Sequence, residues 1–272
     1  MTRVAVIGAG SWGTSVSWLL GGKGLEVALW ARETEIAEGI AETRHNPVYM
    51  SDVVLPENVT ASSDIEQVLR GAEAVVMVTP SMGVRTTAEA MKAHLADDRP
   101  VVILSKGVEN ETLMLMTEVL EDVLGHRERL AGLSGPNHAE EVGRGVPSAT
   151  VVAAHDERVG RLFQDLFMTR FFRVYTNPDV TGVELAGASK NVIAVAAGMS
   201  DGVGYGDNTK ATLMTRGLAE MSRLGHAKGA NPLTYMGLAG VGDLIATCTS
   251  RNSRNRALGE FVGKGGTLEG WR

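Results

Sequence analysis

Val4-Ala5-Val6-Ile7-Gly8-Ala9-Gly10-Ser11-Trp12-Gly13 runs from four strand-forming residues into a G-x-G-x-x-G pattern, and Thr14-Ser15-Val16-Ser17-Trp18-Leu19-Leu20 follows at once. A buried strand, a glycine turn and a helix start, in that order, predict a dinucleotide-binding unit. Each glycine has its own task. Gly8 permits the tight turn, Gly10 lets the backbone approach a pyrophosphate, and Gly13 lets the helix pack on the strand. The helix start adds unpaired N–H groups and the positive end of a dipole for the phosphates. The glycine spacing alone arises by chance. The strand before it and the helix after it give it meaning.

Outward from this stretch, short apolar runs at 3–7, 26–30, 74–78, 101–104, 130–133, 149–153 and 171–175 alternate with helically spaced segments such as 11–20, 82–95 and 113–124. Such alternation predicts βαβ units: an α/β, doubly wound, mostly parallel sheet of Rossmann type with helices on both faces. Asn177-Pro178 breaks the pattern, because the residue before proline avoids helical geometry. Beyond it, 181–198, 210–224, 244–249 and 254–261 read as helices, and no strand is expected. The expected organisation is a dinucleotide-binding domain at 1–177 and a smaller all-helical domain at 178–272 carrying substrate and catalytic groups.

Composition narrows the function. A net charge of −6 argues against nucleic acid as the main partner, since that binding rests on neutralising phosphates. The single cysteine, Cys248, can form no intrachain disulfide and excludes a multi-cysteine zinc site. No metal is expected, and the expected compartment is the reducing cytoplasm. The apolar N-terminus superficially resembles a signal peptide, but its glycines interrupt the run and strand–turn–helix accounts for all of it. No uncharged apolar stretch of about 18 residues exists, so no membrane span is expected.

Ligands of doubly wound sheets bind past the carboxyl ends of the strands. The second strand ends in Trp30-Ala31-Arg32. A carboxylate there suits the ribose hydroxyl of NADH, whereas the Arg32 fork suits the 2′-phosphate of NADPH. Glu33 complicates that reading, and an ordinary exposed arginine is the alternative. After the third strand, Thr79-Pro80-Ser81 suits either a turn over a ribose or a helix start capped by Ser81. Lys106, in Ser105-Lys106-Gly107, points into the crevice, where its ammonium can polarise a carbonyl or hold an anion. Ser134-Gly135-Pro136-Asn137-His138-Ala139 makes a rigid turn that brings backbone near a ligand. His138 reads as a surface residue paired with Glu140 or Glu141.

Segment 183–198 is apolar or small on every side except at Glu184, Ser189, Lys190 and Asn191, so it is a buried helix. Lys190, desolvated in its middle, acquires a lowered pKa and the capacity to give and take a proton near neutrality. A snorkelling lysine, or one paired with Glu184, is the alternative. Asp243 follows a glycine-rich approach and reads equally as a helix cap or a substrate-facing carboxylate. Residues 249–256 form the one dense basic stretch, and Ser253-Arg254-Asn255 opening a helix makes a site for one phosphate.

Taken together, G-A-G-S-W-G at 8–13, S-K-G at 105–107, G-P-N at 135–137, A-S-K-N at 188–191, G-D-L at 242–244 and S-R-N at 253–255 resemble the bacterial NAD(P)-dependent glycerol-3-phosphate dehydrogenases, in order and spacing across the whole chain. The resemblance implies interconversion of dihydroxyacetone phosphate and sn-glycerol 3-phosphate, mainly by reduction, feeding phospholipid synthesis. It implies Lys190 as the acid–base group at the C2 oxygen and Lys106 as a contact to cofactor and substrate. Gly135, Asn137, Asp243, Ser253, Arg254 and Asn255 then line the substrate site. Ser11, Trp12, Arg32 and Ala139 contact NADPH (or NADH) beside Gly8, Gly10 and Gly13, and Arg254 reaches it too. A homodimer is a further expectation. The family runs further, with more helices and a Val/Ala-Glu-Gly segment, so the end at Gly270-Trp271-Arg272 reads as truncated. Bare apolar helix surface and weaker cofactor closure are the expected consequences. One rival is another Rossmann-plus-helices dehydrogenase, of 6-phosphogluconate or 2-hydroxyacid type, which need not share Lys106, Lys190 and 253–255. A second is a non-catalytic NADP sensor, which needs neither the buried lysine nor the anion site.

Overall fold

A computed structural model describes residues 3–271. Strand β1 (Arg3–Ile7) leads through the glycine turn to α1 (Ser11–Gly22), then β2 (Glu26–Trp30), α2 (Thr34–Thr43), β3 (Val59–Ser62), α3 (Ile65–Leu69), β4 (Ala74–Met77) and α4 (Val84–Lys92). Next come β5 (Val101–Ile103), α5 (Met116–Leu124), β6 (Leu130–Ser134), α6 (Ala139–Val142), β7 (Ser148–Ala154), α7 (Glu157–Phe167) and β8 (Phe172–Asn177). Helices α8 (Val180–Val203), α9 (Asp207–Ala227), α10 (Asp243–Thr249) and α11 (Arg254–Gly263) follow.

The strands form one sheet in the order β3-β2-β1-β4-β5-β6-β7-β8. Every neighbouring pair is parallel except β6–β7. The order turns back between β1 and β4, which opens the crevice where doubly wound folds bind their ligands. Two features depart from the sequence expectation. The sheet has eight strands among the described residues, the additional one being β3 at the edge, and β7 with β8 runs against the rest.

Strand alternation explains the two-faced core. Val4, Val6, Val27, Leu29, Val76 and Val102 join one apolar cluster with residues of α1, α2 and α7. Their chain neighbours Ala5, Ile7, Ala28, Met77 and Ile103 join another with α4 and α5 on the opposite face. Fully burying each Val, Ile or Leu contributes roughly 1.5–3 kcal/mol.

The reversal at β7 places α8. Because β8 runs antiparallel to β6, it finishes near the end of the sheet where β6 begins. Helix α8 then lies along β6 in the same direction: Glu184 packs over Gly132 and Gly187 over Ser134. At 24 residues, the helix is about 36 Å long, enough to bring its middle to the carboxyl ends of the strands. Helix α11 sits tightly against α8, since a Cβ on Gly198 would lie 2.0 Å from the Arg256 carbonyl oxygen and one on Gly259 2.0 Å from that of Val195. That contact sets the start of α11 beside the middle of α8.

Candidate active site

The glycine turn has the shape its spacing predicts. Gly8 adopts φ +120°, and a Cβ on Gly13 would lie 1.8 Å from the Gly8 carbonyl oxygen. Gly10 faces open space, with nothing within 4 Å of where its Cβ would stand. The Ser11 and Trp12 N–H groups at the start of α1 have no acceptor among the described residues. Around the crevice, Thr79 Oγ1, Asn137 Oδ1 and His138 Nε2 are buried without hydrogen-bond partners among the described residues. Open cradle, free amides and waiting polar atoms fit a dinucleotide.

Asn46, which no sequence motif marked, holds this turn in place. It is fully buried. Its Nδ2 donates to the Ala9 carbonyl at 2.8 Å and to Thr14 Oγ1 at 2.9 Å, while its Oδ1 accepts from the Val48 and Tyr49 N–H groups.

A cavity of about 290 Å³ opens between the carboxyl ends of the strands and the helical half. Trp12, Lys106, Asn137, Lys190, Asp243, Ser253, Arg254 and Asn255 all line it. Gly135 and Ala139 stand just behind this wall, and Arg32 lies apart from it. At its floor, Asp243 is 2% exposed and is shared by two lysines. Its Oδ2 accepts from Lys106 Nζ at 2.6 Å, and its Oδ1 accepts from Lys190 Nζ. Lys190 also donates to Thr247 Oγ1 at 2.7 Å, and that hydroxyl donates to the Asp243 carbonyl. Lys106 also donates to the Gly135 carbonyl at 2.9 Å. Asp243 opens α10, but Gly242 occupies the cap position. The carboxylate therefore serves the lysines and not the helix end.

Lys190 is buried, and burial pushes its pKa down to about 8. The Lys106 charge adds to this, while Asp243 opposes it. Glu184 is not its partner: that carboxylate accepts instead from Thr117. Two ammonium groups against one carboxylate leave a positive floor, suited to an anionic substrate.

The remaining candidates divide by place. A Cβ on Gly135 would lie 2.9 Å from Thr150 Cα, so only glycine allows that approach. Asn137 Nδ2 donates to the Ala149 carbonyl at 3.0 Å. Ala139 begins α6, and its carbonyl accepts from Ser15 Oγ at 2.8 Å, tying α6 to α1. Ser253 is buried and caps α11, accepting from the Arg256 N–H at 3.2 Å. Asn255 Nδ2 donates to Asn191 Oδ1 at 2.9 Å, and Arg254 is exposed at the cavity mouth. Arg32 lies at the end of β2 with its guanidinium on Glu33, at 2.6 and 3.0 Å. His138 corrects the sequence reading: it lines the cavity, and its buried Nε2 has no hydrogen-bond partner among the described residues. Ser81 likewise caps no helix, because the cap position falls on Pro80. Thr247 went unmarked, although it stands one helical turn after Asp243.

Two family models cover nearly the whole chain. The one described as NAD-dependent glycerol-3-phosphate dehydrogenase N-terminus matches residues 3–160, and its C-terminal counterpart matches 179–271. The chain belongs to this family. Like other NAD-dependent glycerol-3-phosphate dehydrogenases, it has close relatives among bacteria. It is 51% identical over 269 residues to the glycerol-3-phosphate dehydrogenase (NAD(P)+) of Pelotomaculum thermopropionicum, covering 98% of this chain and 77% of that protein. It is 48% identical over 271 residues to enzyme 1 of that name from Salinibacter ruber, covering 99% of this chain and 80% of that protein. The crystal structure of the Coxiella burnetii glycerol-3-phosphate dehydrogenase superimposes with a TM-score of 0.93 at 36% identity, covering 97% of this chain and 81% of that one.

Proposed function

We propose that this family member reduces dihydroxyacetone phosphate to sn-glycerol 3-phosphate, reversibly and with NAD(P)H. The observation that carries the reading is the shared Asp243, which holds a buried ammonium with a lowered pKa against the wall of a cofactor crevice. Reduction adds a hydride to the C2 carbon and a proton to the C2 oxygen. The nicotinamide, when bound, supplies the hydride.

This chain's residues supply the rest. Lys190 donates the proton to the developing alkoxide and is left as a neutral amine, which takes a proton back from solvent. Lys106 stabilises the same growing negative charge and helps orient substrate against cofactor. Asp243 and Thr247 fix the Lys190 amine. Ser253, Arg254 and Asn255 at the start of α11 hold the substrate phosphate, and Gly135 and Asn137 close the opposite wall. Gly8, Gly10, Ser11, Trp12, Gly13 and Ala139 bind the dinucleotide, and Arg254 reaches toward it. Arg32 turns from Glu33 to the 2′-phosphate, which favours NADPH. Residues 1–177 thus form the cofactor domain and 178–272 the substrate domain. No helix among the described residues is long and apolar enough to cross a membrane, and we place the enzyme in the cytoplasm, as a homodimer, serving phospholipid synthesis. A non-catalytic sensor has no use for Lys190 buried against Asp243.

The test is direct. Purified protein consumes NADPH when dihydroxyacetone phosphate is added. Lys190→Ala lowers kcat by about 10²–10⁴-fold, the usual worth of a positioned acid–base group, while NADPH still binds. Lack of NADPH consumption by the unmodified chain, or near-full activity of the variant, sinks the reading.

A further inference from the structure

We infer that Glu184 is a positioning residue: docked on the first amides of α5, it fixes the register in which α8 carries Lys190 to Asp243 and Lys106. The inference rests on the proposed role of Lys190 and goes beyond it to ask what holds that lysine in place.

Glu184 lies on α8 nearly two turns before Lys190 and is 8% exposed. Both of its carboxylate oxygens accept from the Thr117 N–H, at 3.1 and 3.3 Å, and one also accepts from Thr117 Oγ1. Thr117 is the second residue of α5, where the free amides and helix dipole favour an anion. The stem of Glu184 crosses Gly132 of β6, where a Cβ would come within 3.1 Å of its Cγ. Three residues on, Gly187 faces Ser134 Oγ and the Lys106 stem, with a Cβ there lying 2.7 and 3.4 Å from them. Three residues further, Lys190 meets Asp243. One face of α8 is thus laid along β6 from its middle to its end, and every contact has little slack.

Stability alone does not explain this choice. No lysine or arginine pairs with Glu184 among the described residues, and burial raises its pKa to about 7. An apolar side chain of similar volume would hold the helices at least as strongly as an unpaired buried carboxylate. What a carboxylate adds is direction: it is satisfied in one axial position of α8 and not in the next. A slip by one residue moves the helix by about 1.5 Å, which takes Lys190 Nζ out of hydrogen-bond reach of Thr247 and Asp243.

The experiment uses the full chain with Glu184→Ala, Glu184→Gln and Thr117→Ala. Glu184→Ala is expected to lower kcat about tenfold or more while the NADPH Kd, read by energy transfer from tryptophan, stays within about twofold. Glu184→Gln can accept from the Thr117 N–H and donate to its hydroxyl, and is expected to recover kcat to within about threefold of the parent. The register is also read without turnover. Backbone amides of 187–191 exchange with deuterium at least about tenfold faster in Glu184→Ala and at the parent rate in Glu184→Gln. Should Glu184→Ala fail to fold, Thr117→Ala, which keeps the backbone bond, gives the same change in smaller measure. A Gln variant as impaired as the Ala variant, cofactor binding lost in parallel with kcat, or parent-like exchange and kcat in the alanine variants overturns the inference. A parent chain that does not turn over dihydroxyacetone phosphate overturns the proposed reaction instead, and the exchange rates still decide the role of Glu184.

Discussion

Asp243 accepts from two ammonium groups through separate oxygens, and its charge opposes the burial and the Lys106 field that lower the pKa of Lys190. In the proposed mechanism reduction requires protonated Lys190, whose pKa burial lowers to about 8. The rate of reduction therefore falls as pH rises through about 8, and the rate of glycerol 3-phosphate oxidation rises through the same point. Asp243→Asn removes the charge that opposes burial and the Lys106 field. The limb for reduction is then expected to move down by roughly one unit or more, read from pH–rate profiles of kcat; a limb that stays in place refutes the assignment. Arg32 is a separate matter at this scale. A charged hydrogen bond to the 2′-phosphate is worth roughly 1.5–3 kcal/mol, so Arg32→Asp should weaken NADPH binding by about tenfold or more and leave NADH little changed. Parallel titrations with the two nucleotides check this, and equal effects on both rule it out.

Among the elements, the segment after α2 does more than connect. Asn46 ties it to the glycine turn and the first turn of α1 through two hydrogen bonds, and its Oδ1 accepts two more from the amides of its own loop. Asn46→Ala leaves the Ala9 carbonyl and two loop amides unsatisfied, a loss of about 1–3 kcal/mol. Urea midpoints should show that loss, and NADPH titration should show a raised Kd. A destabilised variant with unchanged cofactor affinity would place Asn46 outside the binding role. Asn46 also marks where sequence reading stops. Strands such as Val4–Ile7 are continuous apolar runs because both of their faces are buried, and the glycines carry their reasons locally. Strand β3 escaped because only Val59 of Val-Thr-Ala-Ser is buried at the sheet edge. Helices α2 and α7 did carry a signal, in the spacing of Ile36, Ala37 and Ile40 and of Gly160, Phe163 and Phe167. The direction of β7 depends on its partner β6 and is written in neither strand. Lys106 and Lys190 stood out as charges in apolar settings. Asp243 stayed open because its meaning lies in Lys106, 137 residues away, and His138 was misread because its chain neighbours are not its spatial ones.

For the whole molecule, the crevice is bounded on one side by the sheet and on the other by α8, α10 and α11, so neither half contains a complete site. The positive floor belongs to both: Lys106 comes from the end of β5, Lys190 from the middle of α8, and Asp243 from the start of α10. These groups are joined by contacts 53 and 137 residues apart along the chain. That separation has a consequence in time. Contacts between distant residues close late, after local helices and neighbouring strands have formed. A ribosome extending this chain has made the whole sheet before it adds the residue that unites the two lysines. In refolding from denaturant, far-ultraviolet dichroism should recover first and turnover last, followed side by side in stopped flow; simultaneous recovery would contradict this order. The nascent chain is then folded in most of its parts before the carboxylate that joins the two lysines arrives.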